Sequence, residues 1–105
     1  MKIIIISMCY FCLTSFKASY YHSSFHGKTT YSGEIYNENK LTAASNVYPI
    51  GTRLKITNIE NNKSVIVKIN DKGSFRKVSI DLSKKAFERI AELEKGIINI
   101  NIKKI

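Results

Sequence analysis

The sequence predicts a small, mainly β protein in which short strands close into a barrel around one helix. Three observations carry that prediction. Apolar and polar residues alternate over much of the chain after residue 17, a single stretch has a helical period, and no long strand–helix–strand unit is present. Length sets the scale, because 105 residues of which 44% are hydrophobic suffice for one compact core and exclude multidomain machinery or a dinucleotide-binding fold. With one Pro and five Gly, the chain is neither collagen-like nor a disordered tail. Short strands without covering layers avoid free edges by closing on themselves.

From the N-terminus, Lys2 precedes a nearly unbroken apolar run from Ile3 to Leu13. This run falls short of the roughly 20 residues that span a bilayer and fits the hydrophobic part of a secretory signal, so residues 1–17 are expected to serve export. Large neighbours, Met8 before Cys9 and Phe11 before Cys12, argue against acylation of either cysteine, so no lipid anchor is expected. Cleavage near Ser15 would remove both thiols. The domain proper, residues 18–105, would then hold no disulfide or Cys-based metal site.

A short strand is expected at Ala18–Tyr21. Tyr31 to Lys40, polar and containing Gly33, reads as loop. Leu54 and Ile56 alternate with Arg53, Lys55 and Thr57, the Glu60–Lys63 stretch supplies turn chemistry, and Val65, Val67 and Ile69 resume the alternation. That is a hairpin. A weak strand is expected near Val78–Ile80. Ser83 as N-cap, a stripe of Ala86, Phe87, Ile90, Ala91 and Leu93, and Gly96 beyond it predict a helix over about 83–95. Ile98, Ile100 and Ile102 then alternate with Asn99, Asn101 and Lys103, giving the last strand.

Seventeen Lys and Arg against eight Asp and Glu give a formal charge of +9, about +8 once Lys2 leaves with the signal. An anionic partner is implied. Without a zinc-finger or RNA-recognition signature, and with export expected, that partner is the cell envelope and not nucleic acid.

Few side chains can do acid or base work. Asp71 continues the parity of Val65, Val67 and Ile69, so an uninterrupted strand would turn it into the barrel, where desolvation raises a carboxyl pKa toward general-acid use. The bland alternative is an Asp capping its own turn. Glu34, after Gly33 in the polar loop, would orient a sugar hydroxyl or simply be solvated. Asp81, just before Ser83, reads as a bond to helix-terminal N–H groups. His22 and His26 have helical i, i+4 spacing, but Ser23, Ser24 and Gly27 oppose a helix there, and neither a metal nor a cofactor is expected. Ser45 has no nearby His or Asp to make it a nucleophile. Aromatic residues cluster in the first half, and a flat ring with a polar handle suits stacking on a sugar.

These residues taken together resemble the rare lipoprotein A family. The matching stretches include Ala18-Ser19-Tyr20-Tyr21, Phe25-His26-Gly27-Lys28, Ser32-Gly33-Glu34, Leu41-Thr42-Ala43-Ala44, Ile69-Asn70-Asp71-Lys72-Gly73 and Ile80-Asp81-Leu82-Ser83. The resemblance covers nearly all of Ala18 to Ile105. It implies a six-stranded double-psi β-barrel related to that of expansins, acting in the periplasm or outside the cell as a lytic transglycosylase on peptidoglycan strands stripped of stem peptides. It also implies that Asp71 is catalytic, with Glu34 assisting in the same groove; Tyr21, Phe25, His26, Thr42, Ser45 and Asn46 are expected to bind substrate, Ser45 or Asn46 by a hydrogen bond to the glycan. In that chemistry a carboxylic acid protonates the bond between N-acetylmuramic acid and N-acetylglucosamine, and the muramic 6-hydroxyl attacks C1 to give a 1,6-anhydro sugar. This chain departs from the family pattern with Ser45 in place of a His after Thr-Ala-Ala, and with Ser74 in place of a Pro after the Asp71 turn. The competing reading is a non-catalytic, expansin-like module that binds glycan or loosens the wall.

Overall fold

Alternation on six strands produces a closed barrel. A computed structural model describes residues 16–73 and 77–105. The strands are β1 (Phe16–Tyr20), β2 (Thr42–Ala44), β3 (Arg53–Asn58), β4 (Ser64–Asp71), β5 (Ile80–Leu82) and β6 (Ile98–Lys104). Their order is β1-β5-β2-β4-β3-β6, with β6 returning to β1. The β1/β5 and β2/β4 contacts are parallel and the others antiparallel. The expected hairpin is β3/β4, with Leu54 opposite Val67 and Ile56 opposite Val65. Its turn is built by asparagine side chains: Asn58 accepts from the Glu60 amide, Asn61 from the Lys63 amide, and Asn62 takes a φ of 64°, a conformation Asn tolerates better than most residues.

Inward residues Ala18, Ala43, Leu54, Ile56, Val67, Ile69, Ile80, Leu82 and Ile100 fill the barrel, and Ala86, Phe87 and Ile90 of the helix join the same core. Each large apolar side chain so buried contributes roughly 1.5–3 kcal/mol. Tyr20 packs on Phe87 at 4.7 Å between ring centres and donates its hydroxyl to the Leu93 carbonyl.

The helix, α1, is shorter than expected and spans Lys84–Ile90. Ser83 caps it as predicted, accepting from the Ala86 amide. It stops because the amide side chains of Asn58 and Asn61 both donate to the Ile90 carbonyl, at 2.8 and 3.0 Å, while Ala91 is extended. The rest of the apolar stripe forms a separate 3₁₀ turn, Leu93–Lys95, and Gly96 at φ 71° ends that turn and not the α-helix.

Two strands differ from expectation. β2 was not anticipated because Thr42, Ala43 and Ala44 are all buried, which erases the two-residue period. β5 lies at Ile80–Leu82 and not at Val78–Ile80. β1 begins at Phe16, pairing Phe16 with Ile100 and Lys17 with Asn99, so the barrel takes in two residues assigned to the leader. The remainder of the expected signal, both cysteines and Ser74 lie outside the described residues.

Candidate functional site

The outer side of the barrel, not its interior, gathers the polar residues. In-register partners on neighbouring strands share a sheet face, and Ser19 pairs with Asp81, Asp81 with Ala44, and Ala44 with Asp71. Ser19, Asp81, Ala44 and Asp71 therefore form one row across β1, β5, β2 and β4. Their sequence neighbours Ala18, Ile80, Leu82 and Ala43, and Ile69 two residues before Asp71, point the other way into the core.

This placement corrects the parity expected for Asp71. Ala43 pairs with Ile69 but Ala44 pairs with Asp71, so the register slips by one residue and Asn70 is the extra one. Such a bulge re-aims the side chains after it. Both Ile69 and Asn70 are buried, and Asp71 emerges half-buried on the outer face. There its Oδ2 accepts from the Tyr21 hydroxyl at 2.7 Å, and its Oδ1 accepts from the amides of Tyr31 and Lys72 at 2.8 and 2.9 Å.

The loop between β1 and β2 covers the middle of this row at Ala44 and leaves Asp71 and Asp81 half-buried. Tyr21 and Tyr36 stack at 4.3 Å and bury Ala44 in a small apolar cluster separate from the core. Burial first, and then the hydrogen bond and charge of Asp71, hold the Tyr21 hydroxyl far above its ordinary pKa, so it stays a donor to Asp71. Phe25 meets Tyr21 edge-on at 6.0 Å and is 47% exposed.

Asp81 was missed as a site residue. It does not bond the start of α1, a task Ser83 performs, but sits within β5 and accepts from the Ser19 hydroxyl at 2.9 Å. Desolvation raises its pKa from 3.8 to about 6; the charge of Asp71 adds to the rise and the Ser19 bond opposes it. The sequence signal was slight, a single alternation of Ile80 and Leu82 about the Asp.

Beside the row lies an open cleft of about 520 Å³ lined by Glu34, Thr42, Asn70, His26 and Tyr36 among others. Asp71 and Asp81 are not in that lining, so the two expected catalytic carboxylates, Asp71 and Glu34, flank Asn70 without sharing a hydrogen bond. Glu34 binds Lys68 at 2.8 Å and the Asn70 amide at 3.0 Å, and these two bonds, Lys68 first, hold its carboxyl below the usual range. It is a charged, exposed group suited to orienting a ligand and unsuited to giving up a proton. Two buried oxygens at the cleft, Thr42 Oγ1 and Asn70 Oδ1, have no hydrogen-bond partner. Buried polar atoms are nearly always satisfied, so these two unpaired oxygens in residues that line the cleft stand out.

The other expected substrate contacts divide. His26 lies exposed at the cleft, its Nδ1 accepting from the Glu38 amide, which leaves Nε2 as the N–H of the neutral ring. Asn46 is exposed and accepts from the Gly73 amide, tying down the turn after Asp71. Ser45 is 1% exposed and accepts from the Val47 and Tyr48 amides. It is a buried turn former out of reach of a glycan. Among the described residues no three His, Cys, Asp or Glu side chains cluster as metal ligands.

The lytic transglycolase family model matches residues 14–102. The endolytic peptidoglycan transglycosylase RlpA of Campylobacter jejuni is 45% identical over 89 residues, covering 84% of this chain and 32% of that protein. The same-named Haemophilus influenzae protein is 45% identical over 86 residues, covering 81% and 30%. The chain thus spans about a third of the curated relatives it matches. Among solved structures, the Streptomyces papain inhibitor superposes with a TM-score of 0.66 at 23% identity over 85% of this chain and 92% of that one. An expansin of Clavibacter michiganensis gives 0.68 at 22% over 88% and 50%. Those two likenesses concern the fold alone.

Proposed function

Because the chain belongs to the lytic transglycolase family of double-psi β-barrels, we propose that it cleaves peptidoglycan glycan strands, in the cell envelope, by transglycosylation. Like the relatives named as endolytic peptidoglycan transglycosylases, it would act endolytically; the bond it would break is that between N-acetylmuramic acid and N-acetylglucosamine, in strands without stem peptides. The observation that carries this reading is the outer row of two carboxyls, Asp71 and Asp81, beside a cleft with unpaired buried acceptors.

The two carboxyls have unlike surroundings, which is how a site separates an acid from a base. Asp81, with its pKa lifted to about 6, retains a protonated fraction near neutrality and gives its proton to the glycosidic oxygen as the C1–O bond breaks. Asp71, held by three donors, is the ordered carboxylate that stabilises the positive charge developing at C1. The muramic 6-hydroxyl then bonds to C1 and its proton returns to the carboxylate left on Asp81. No water enters, unlike ordinary glycoside hydrolysis. Glu34 orients sugar hydroxyls together with Thr42, Asn70 and His26, and Phe25 offers an exposed ring to a sugar face.

The test is incubation of the protein with peptide-free peptidoglycan and mass spectrometry of the soluble products. Anhydromuramyl ends that vanish in Asp71→Asn and Asp81→Asn support the proposal. Binding to sacculi without any such product refutes it and leaves the non-catalytic glycan-binding reading.

A further inference from the structure

The positive charge is not spread evenly over the barrel. The outer row and the cleft mix Asp71, Asp81 and Glu34 with Lys40 and Lys68, and the solvent side of α1 mixes Lys84, Lys85, Glu88 and Arg89. By contrast, β3 and β6 contain no acidic residue, and β4 has none before Asp71. On the outer face of these three strands Lys55 stands directly opposite Lys103, and Arg53 directly opposite Lys68. All four residues are exposed. Like charges in register destabilise a sheet, since opposed Cβ atoms lie only about 5 Å apart. The described ion pairs, Lys68 with Glu34 and Lys95 with Glu60, leave Arg53, Lys55 and Lys103 uncompensated. A sheet that holds such an arrangement is built to meet negative charge.

What kind of negative charge follows from the residues beside the cations. Ile66 lies on the same face in register with Lys55 and is 44% exposed, and Ile105, just past β6, is 63% exposed. A hydrophilic polyanion gains nothing from an exposed isoleucine at the end of the row Ile66–Lys55–Lys103. A layer of anionic headgroups over acyl chains gains from both, because basic side chains meet the surface potential while the apolar one enters the boundary. We infer that the outer face of β4, β3 and β6, centred on Lys55, Ile66 and Lys103, docks onto an anionic lipid bilayer. The face meets the cleft at Lys68, which lines it and pairs with Glu34, while Lys55 and Lys103 stand on β3 and β6, away from it.

The experiment measures partition of the full chain onto vesicles of phosphatidylglycerol with phosphatidylcholine, and onto pure phosphatidylcholine. The apolar run at residues 3–13 and Lys2 are common to every variant, so the ratio between the two vesicle types, parent against variant, isolates the face. Lys55→Ala/Lys103→Ala should lower that ratio about 25-fold, fivefold for each cation removed, while melting no lower than the parent because a repulsive pair is gone. Ile66→Ser should weaken binding to anionic vesicles several-fold with the charge intact. Lys55→Arg/Lys103→Arg should bind like the parent. An unchanged ratio in the double alanine variant overturns the inference. So does soluble polyphosphate binding the parent as tightly as the vesicles do with Ile66→Ser without effect, since the face would then be a polyanion site.

Discussion

The two sides of the β5-β2-β4 sheet carry different work on the same few residues. Inward, Ile80, Leu82, Ala43 and Ile69 are fully buried in the core; outward, Asp81, Ala44 and Asp71 form a row in which Ala44 packs with the Tyr21–Tyr36 stack. Substituting a residue on one side should cost stability and on the other side activity, although the two sides alternate along one backbone. The one-residue bulge at Asn70 lets Asp71 join the outer side. Without it the Asp would be turned into an apolar core, where an unpaired carboxylate is costly.

The sharpest way to break this division is to neutralise the outer carboxyls. Asp71→Asn or Asp81→Asn should each lower anhydro-product formation by about 10²–10⁴-fold, the usual reach of a positioned acid or base, with cooperative unfolding retained in calorimetry. On the inner side, Phe87→Ala should destabilise by about 3–5 kcal/mol in denaturant melts, with the folded fraction keeping its activity. Tyr21→Phe keeps the stack on Tyr36 but removes one donor to Asp71, and activity should fall about 10- to 150-fold, in line with about 1.5–3 kcal/mol for a hydrogen bond to a charged group.

Stability against pH sharpens the comparison further. The folded pKa of Asp81, about 6, lies above the unfolded value near 4, so the folded state binds more protons between them and stability falls as pH rises from about 4 through 6. Asp81→Asn should abolish that fall and make the chain more stable than the parent above pH 6, by about 1–2 kcal/mol because solvent at the rim screens part of the penalty. The smallest effect belongs to Glu34→Gln. Its exposed pair with Lys68 should leave the melting midpoint nearly unmoved, while retention on peptide-free glycan weakens.

Elements whose two faces differ were legible in the sequence. The β3/β4 hairpin, β6 and the Ser83 cap follow from alternation and spacing. β2 was illegible because small residues buried on both faces show no period, and the end of α1 was hidden because it depends on Asn58 and Asn61, some 30 residues away in the chain. Asp71 was recognisable but wrongly aimed, since a bulge has no signature in Ile69-Asn70-Asp71. Asp81 sits two residues before a genuine cap, Ser83, and in the sequence reads as part of it. Ser45 looked available to substrate because nothing in its neighbourhood reveals that two amides already claim its hydroxyl. The charge of +9 points to an anionic partner, but only strand register shows that Arg53, Lys55, Lys68 and Lys103 share one sheet face.

The outer row is tested most directly by the pH dependence of anhydro-product formation, measured on the parent and on Asp81→Asn from about pH 4 to about pH 8. The parent rate should fall as pH rises through about 6, following loss of the Asp81 proton. The variant should retain at most about a hundredth of that rate, without the inflection. A variant with the parent's rate and the parent's profile would contradict the assignment of the proton to Asp81 and, with it, the outer row as the seat of the chemistry.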